Sequence, residues 1–467
     1  MASGITTNIA KKIFLKTLAG LRVGYLEVVC PECTYCFGQS HDPLHAVIAV
    51  HDERFFLRAL LAGDVGIGEA YMEGDWSTPD PVAVVRLAVR NLDQLDGSNR
   101  LFTSFRRLAD FIEHRRRSNT QAGSRRNIAY HYDLGNDFYR LFLDRDLAYS
   151  CAYYESSQDT LEQAQIRKFD RICRKLQLES RDHVLEIGTG WGGFAAYAAE
   201  TYGCRVTTTT ISQQQHDYAR EVFSRSRAGE RIQLLFEDYR KLRGQYDKIV
   251  SIEMFEAVGY EHYDDYFGAC DRLLKPDGSM LLQTITIQEQ KFHQYRKQSD
   301  WIKKHIFPGA ELASVIAIQQ SLARKTRMQL FHTEDIGKHY ALTLHEWRRR
   351  FLEHLSEVRQ LGFHDRFVRM WDYYLAYCEG AFRERYISDV QLVLSKVTSE
   401  VLHAENDYST APGKTMADEL ARLGKTHLLK IYPPVGKTAD DGHNFVYTAV
   451  AQWEDDVFGF LDRYVRR

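Results

Sequence analysis

No window of this 467-residue chain reaches the roughly 18 uninterrupted apolar residues that a membrane-spanning helix needs. The opening 26 residues are broken by Lys11, Lys12 and Lys16, which argues against a secretory leader. Neither charge is in surplus, since 61 Lys+Arg face 63 Asp+Glu for a formal net charge of −2. With no global field to draw it in, nucleic acid is not an expected partner. Cysteine is sparse and scattered, at positions 30, 33, 36, 151, 173, 204, 270 and 378, a distribution that suits reduced thiols better than a disulfide framework. The chain therefore reads as cytoplasmic. Internal repeats and low-complexity tracts are absent too. A composition of 44% apolar and 27% charged residues then excludes wholesale disorder and leaves a globular protein of two or three domains.

What is present divides the chain. Residues 1–100 mix apolar runs with turn signals, at 23–30, at 46–50 and in the glycine-rich 63–74 stretch, and suggest a small α+β domain. A basic linker is expected at 101–126, where Arg106, Arg107, Arg115, Arg116, Arg117, Arg125 and Arg126 accumulate as either a solvated helix face or a surface for anionic lipid. From 161 onward helix and strand patterns alternate. Strands are expected at 183–187, 205–210, 232–236, 247–252 and 280–287, and helices at 161–178, 194–201, 214–223 and 263–274. Such alternation predicts an α/β fold with a parallel, doubly wound sheet.

The strongest local signal is VLEIGTGWGG at 184–193, a buried strand running into a glycine loop that opens a helix. Glycines let backbone N–H groups approach a ligand. Glu186 at the strand tip would gain nothing from a pyrophosphate but would attract an ammonium and a sulfonium, which favours S-adenosylmethionine over a dinucleotide. The second strand ends without an acidic residue to grip a ribose, leaving Thr210 and Gln215 to supply hydrogen bonds, and the segment Glu237, Asp238 and Tyr239 falls where an adenine edge would lie or, equally, forms a capping turn. Glu256, amid Met254, Phe255 and Val258, must be paired or functional, because an unpaired buried carboxylate is costly. Taken alone, Cys151 is more often a core residue. The CPECTYC run at 30–36 has the look of half a zinc site with His41 nearby, but no second cysteine pair follows and a hairpin turn explains it, so no metal is assigned.

Five segments in order, HYDLGNDFY at 131–139, YSCAYY at 149–154, EIGTGWGG at 186–193, SIEMFEAVG at 251–259 and WIKKHIFPG at 301–309, resemble the cyclopropane-fatty-acid synthase family, which includes the mycolic acid cyclopropane synthases and related fatty-acyl methyltransferases. The likeness runs from about residue 24 to about 396, and GIGEAYMEGDW at 66–76 resembles the N-terminal domain of the phospholipid-acting members. It implies a Rossmann-like S-adenosylmethionine-dependent methyltransferase fold, with a mixed, mainly parallel seven-stranded sheet over residues 127–396. Tyr149, Ser150, Gly188, Gly190, Thr210 and Gln215 would touch the cofactor, with Asp238 near the adenine. Cys151, Glu256, Ile285 and Tyr340 match positions lining a bicarbonate ion that acts as general base. The family's histidine on the fifth strand is Gln283 here, in LLQTITI, and Ala257 replaces a second histidine common in the family. Glutamine donates a hydrogen bond but carries neither proton nor positive charge, which weakens the expectation of bicarbonate.

The substrate implied is an unsaturated acyl chain on a phospholipid, reached by peripheral association with a membrane surface. A homodimer is left open. Amphipathic segments at 9–21 and in the linker are candidate membrane contacts, the stretch 288–344 is expected to cover the acyl site, and rings such as Tyr149 and Phe255 to stabilise the carbocation. Two alternatives stand beside this reading: methylation of another apolar small molecule, and a catalytically silent lipid- or cofactor-binding protein. Residues 410–467, within a tail expected at 397–467, resemble the end of a dienelactone-hydrolase-like α/β-hydrolase with His443 at the catalytic histidine. No G-x-S-x-G elbow occurs, so the tail is read as inactive.

Overall fold

A computed structural model of the chain describes residues 2–96 and 134–396. The arginine-rich linker at 101–126 and the tail with His443 lie outside the described residues. Contacts group the chain into Met1–Val401 and Leu402–Arg467, and every element below belongs to the first unit.

The N-terminal layer starts with helix α1 (Ala2–Leu18) and strands β1 (Tyr25–Val29), β2 (Thr34–Gly38) and β3 (His45–Val50). Helix α2 (Arg54–Glu73), strand β4 (Trp76–Ser77) and helices α3 (Pro81–Arg90) and α4 (Leu92–Asp96) follow. The small sheet runs β2-β1-β3-β4. Alternation along β1 turns Leu26 and Val28 into the core, as a half-buried strand requires. Cys30, Cys33 and Cys36 sit on the β1–β2 hairpin, where the Cys30 N–H donates to the Cys33 carbonyl at 2.9 Å. Among the described residues no cluster of three His, Cys, Asp or Glu could hold a metal.

The glycine-rich 63–74 stretch, expected to turn, is mostly helix. Only Gly63 (φ 57°) kinks α2 and Gly74 (φ 79°) caps it. The glycines between them serve close packing, since a Cβ on Gly68 would lie 2.4 Å from the Trp301 ring.

The larger layer comprises α5 (Asn136–Arg140), α6 (Leu161–Lys175), β5 (His183–Ile187), α7 (Gly193–Tyr202), β6 (Arg205–Thr209), α8 (Gln213–Arg225), β7 (Ile232–Leu235), β8 (Tyr246–Ile252), α9 (Tyr263–Leu273) and β9 (Leu274–Ile287). It continues with α10 (Glu289–Tyr295), α11 (Trp301–His305), α12 (Val315–Lys325), β10 (Met328–Asp335), α13 (Gly337–Glu353), α14 (Leu355–Gln360), α15 (Asp365–Arg383) and β11 (Ile387–Lys396). Seven strands lie in the order β10-β11-β9-β8-β5-β6-β7. β5 to β9 pair in parallel, and β11 runs antiparallel to both β9 and β10, which gives the mixed, mainly parallel Rossmann-like sheet. β5 is buried along nearly its whole length, as a strand covered on both faces must be.

Helix α15 joins the two layers. Tyr71 donates to Asp372 at 2.6 Å, and Arg86 and Arg90 both reach Glu384 at 2.6 Å. One apolar cluster runs from Leu26, Val28 and Phe55 to Phe138, Trp347 and Trp371. Its edge-on aromatic contacts, such as Phe138 on Trp371 at 4.7 Å, contribute about 0.5–1.5 kcal/mol each beyond area burial.

Candidate active site

Strand order reverses at β5, with β6 and β7 on one side and β8 and β9 on the other, and the crevice beyond such a switch point is where open α/β sheets bind ligands. A cavity of about 910 Å³ opens there, near the upper end of the roughly 300–1,000 Å³ of small-molecule clefts. All eight residues expected to touch the cofactor, Tyr149, Ser150, Glu186, Gly188, Gly190, Thr210, Gln215 and Asp238, line this one space.

The local reasons are visible. Gly188 (φ 106°) and Gly190 (φ 53°) take left-handed backbone, and a Cβ on Gly190 would meet nothing within 4 Å because it would face the cavity. Glu186 accepts from Thr208 at 2.5 Å, and burial pushes its carboxyl up to about 8. Thr210 donates to the Gln215 carboxamide at 3.0 Å, fixing its orientation. Asp238 is held by Arg240 through two bonds of 2.8 and 2.7 Å. The Ser150 hydroxyl accepts from Lys168 at 2.6 Å, a lysine that sequence reasoning missed. Lys168 has no exposed surface; burial pushes its ammonium down, while Glu253 and Asp144 favour the charge.

The far end of the cavity is apolar. Tyr149, Phe307, Tyr340, Tyr374 and Phe382 form an aromatic wall, with the Tyr149 and Tyr374 hydroxyls 2.9 Å apart. The space continues past Ile285 and Ile287 to Ile13, Phe14 and Leu60 of the N-terminal layer. Of the stretch expected to cover this site, many residues between Lys291 and Leu312, together with Tyr340 and Leu344, line the cavity, whereas β10 is a strand of the main sheet. Phe255 does not join the wall. Its short 3₁₀ turn directs the ring into the core against Tyr263 and Tyr266, with centroids at 4.4 and 5.0 Å.

Between the two ends lies a group of carboxylates. Glu256 accepts from the Thr284 hydroxyl at 2.9 Å and the Ile285 N–H at 2.5 Å, while its other oxygen has no partner among the described residues. Burial first, and then the nearby charge of Glu253, raise it to about 7. Glu253, absent from the expected set, lines the cavity at the end of β8. One of its oxygens accepts from the Cys151 N–H at 2.7 Å and from Gln283 Nε2 at 2.8 Å, and the other from the Tyr340 hydroxyl at 2.7 Å. Its φ of 49° is the left-handed conformation, at a cost of order 1–3 kcal/mol for a residue with a side chain. A bond from its N–H to the Gln283 carbonyl at 2.8 Å pins that backbone.

Gln283 also donates to Asp389 at 2.9 Å and accepts from Gln391 at 2.9 Å, so its amide is fully used. Asp389 is pushed well above the carboxylate range by burial and by Glu253. Burial raises Glu253 too, but the Tyr340 hydroxyl, the Cys151 N–H, the Lys168 charge and Gln283 all pull it back down, so of the two acids Asp389 is the one raised further and the one that holds a proton more readily.

Cys151 enters through its backbone. Its thiol is fully buried outside the cavity, donates to the Ala152 carbonyl at 3.2 Å and is pushed well up by burial. The donors anticipated for bicarbonate are therefore engaged: Cys151, Gln283 and Tyr340 hold Glu253, and Ile285 holds Glu256. These residues do not fit a bicarbonate ion in addition.

Comparison with known proteins identifies the family. The family model for mycolic acid cyclopropane synthetase matches residues 119–392. The cyclopropane-fatty-acyl-phospholipid synthase of Escherichia coli strain K12 is 40% identical over 353 residues, covering 75% of this chain and 88% of that protein. The tuberculostearic acid methyltransferase UfaA1 of Mycobacterium tuberculosis is 37% identical over 339 residues, covering 71% and 79%. Among solved structures, the cyclopropane synthase MmaA2 from Mycobacterium tuberculosis superposes with a TM-score of 0.55 at 31% identity, over 58% of this chain and 98% of that one. The mycolic acid cyclopropane synthase CmaA1, complexed with SAH and CTAB, gives a TM-score of 0.55 at 32% identity over 58% and 98%. The chain belongs to the mycolic acid cyclopropane synthetase family of S-adenosylmethionine-dependent methyltransferases.

Proposed function

We propose that this protein transfers the methyl carbon of S-adenosylmethionine to the double bond of an unsaturated acyl chain carried by a phospholipid. The product is a cyclopropane or a methyl- or methylene-branched chain. One observation carries the reading: a single cavity joins the glycine loop after β5 to an aromatic and aliphatic channel that ends among N-terminal helices.

When bound, the cofactor supplies an electrophilic methyl on a sulfonium. Glu186 opposes its positive charge, the loop at Gly188 and Gly190 admits it closely, and Thr210, Gln215 and Asp238 offer hydrogen-bonding groups to its nucleoside. An isolated alkene is a weak nucleophile, so the chain's residues must hold it in place and keep water out. Tyr149, Phe307, Tyr374 and Phe382 do both. Positive charge develops on the acyl chain as the new bond forms. The rings face it from one side, and the carboxyl groups of Glu253 and Glu256, stabilising where ionised, line the cavity on the other.

The membrane side of the proposal rests on the cavity mouth. Leu61 lines the cavity yet is 56% exposed, and Ile9 on the adjacent α1 is 53% exposed beside the exposed cations Lys12 and Lys16. An apolar rim with flanking cations suits the headgroup boundary of an anionic bilayer. No helix among the described residues is long and apolar enough to cross a membrane. All eight cysteines are unpaired, in keeping with a reducing cytoplasm.

The test is incubation with cofactor and vesicles of monounsaturated or saturated phosphatidylglycerol, read by mass spectrometry. Acyl chains of the unsaturated vesicles alone should gain one methylene unit. Cofactor binding without any acyl product would reject the proposal in favour of a silent binding protein, and methylation of a non-lipid acceptor alone would reject it in favour of another substrate.

A further inference from the structure

We infer that Glu253 is the base of this reaction, a carboxylate built into the chain at the point where the acyl carbocation must lose its proton. The inference deepens the function proposed above and rests on it. Four observations carry it, each independent of the comparisons.

First, Glu253 lines the cavity between the cofactor loop and the aromatic wall, so it touches the space where the two ligands meet. Second, three donors on three different elements aim at it: the Cys151 N–H and the Gln283 amide at 2.7 and 2.8 Å on one oxygen, and the Tyr340 hydroxyl at 2.7 Å on the other. A carboxylate offers about four lone-pair positions. The two backbone and amide donors share one oxygen, so the oxygen bonded by Tyr340 is the less occupied of the two. Third, the backbone holds a left-handed φ of 49°, a conformation non-glycine residues rarely take and one that clusters at functional sites. Fourth, the neighbouring acid Asp389 is fully buried, takes the second Gln283 proton and contacts Glu253, and it is raised further than Glu253, so Glu253 is the member of the pair that gives up its proton more readily.

The step balances as follows. The π pair of the alkene forms a C–C bond to the donor methyl while the S–CH₃ bond breaks with its pair left on sulfur, giving a thioether and a carbocation on the acyl chain. A lone pair on the Glu253 oxygen bonded by Tyr340 then takes a proton. If the proton leaves the new methyl, its C–H pair closes a three-membered ring; if it leaves an adjacent chain carbon, the pair forms a new double bond. Glu253 ends protonated and returns its proton to solvent after product leaves.

The experiment compares wild type with Glu253→Gln and Glu253→Ala, each first shown by calorimetry to bind S-adenosylhomocysteine. Wild-type turnover on monounsaturated phospholipid should be unchanged in bicarbonate-depleted buffer. Glu253→Gln should lose about 10²-fold or more, the range of a general base. Glu253→Ala should recover part of its turnover with added sodium acetate or sodium bicarbonate. By nuclear magnetic resonance without cofactor or lipid, isotope-labelled bicarbonate should bind Glu253→Ala and not wild type. Wild-type turnover that requires bicarbonate, or full turnover by Glu253→Gln, overturns the inference. The wild-type arm needs no substitution to fold. Absence of lipid turnover by wild type itself would instead count against the proposed function, and the bicarbonate-binding arm would still decide whether Glu253 fills the anion position.

Discussion

Glu186 should make cofactor binding depend steeply on pH. In the free protein burial lifts its carboxyl to about 8, so at pH 7 about one molecule in ten is ionised and at pH 6 about one in a hundred. A cofactor bearing ammonium and sulfonium charges needs the carboxylate, and binding therefore expels the proton. The free state holds that proton and the complex does not, so raising the pH favours the complex. Affinity should rise about tenfold per unit between pH 6 and 7 and level off above 8. The same shift sets the sign for stability. A carboxyl raised in the folded state loses stability to the unfolded chain as pH climbs from the ordinary carboxylate range toward 8, and bound cofactor offsets that loss, so cofactor should raise Tm more at pH 8 than at pH 6. Isothermal titration calorimetry from pH 6 to 9, in buffers of different ionisation enthalpy, reads both affinity and proton release. Glu186→Gln should flatten the profile and weaken binding at pH 8. A wild-type Kd constant from pH 6 to 8 with no proton released would refute the argument.

Three further outcomes follow from the geometry. Glu256→Gln should cut lipid turnover by at least about tenfold above pH 7, where the carboxyl raised to about 7 is ionised and faces the developing cation, while Tm stays within a few degrees; unchanged turnover would remove Glu256 from the reaction. Gln283→His alone should not create bicarbonate dependence, since Glu253 still fills the anion position, whereas Glu253→Gly combined with Gln283→His should; turnover against bicarbonate concentration separates the two. Gly68→Ala should destabilise the protein by about 1–3 kcal/mol in thermal denaturation, because the added methyl overlaps the buried Trp301, and an unchanged Tm would show that α2 can shift away.

The sheet and glycine loop were legible in the sequence because their signals are local. A continuous apolar run followed by glycine marks β5 and its turn, and helical periodicity marks α6 to α9 within a residue or three. Pairing across the sheet is not local. Gln283 lies 30 residues from Glu253, 106 from Asp389 and 108 from Gln391, and no spacing rule joins them. Glu253 stood inside a motif already read for Glu256; the usable signal was an acid directly after the apolar end of a buried parallel strand, at a switch point of the sheet. Phe255 misled because a 3₁₀ turn rotates it into the core. The 63–74 segment misled because glycine in a helix also permits close approach, and turn chemistry and packing look alike in one sequence. Cys151 is expected to act through its side chain, whereas its backbone N–H is what bonds Glu253, a contact that residue type does not announce.

The most direct measurement uses S-adenosylmethionine with an isotope-labelled methyl, wild-type protein and vesicles of monounsaturated phosphatidylglycerol. Label recovered in acyl chains lengthened by one methylene unit, as a ring or a branch at the former double bond, is the predicted result. Consumption of cofactor with every acyl chain unlabelled would contradict it.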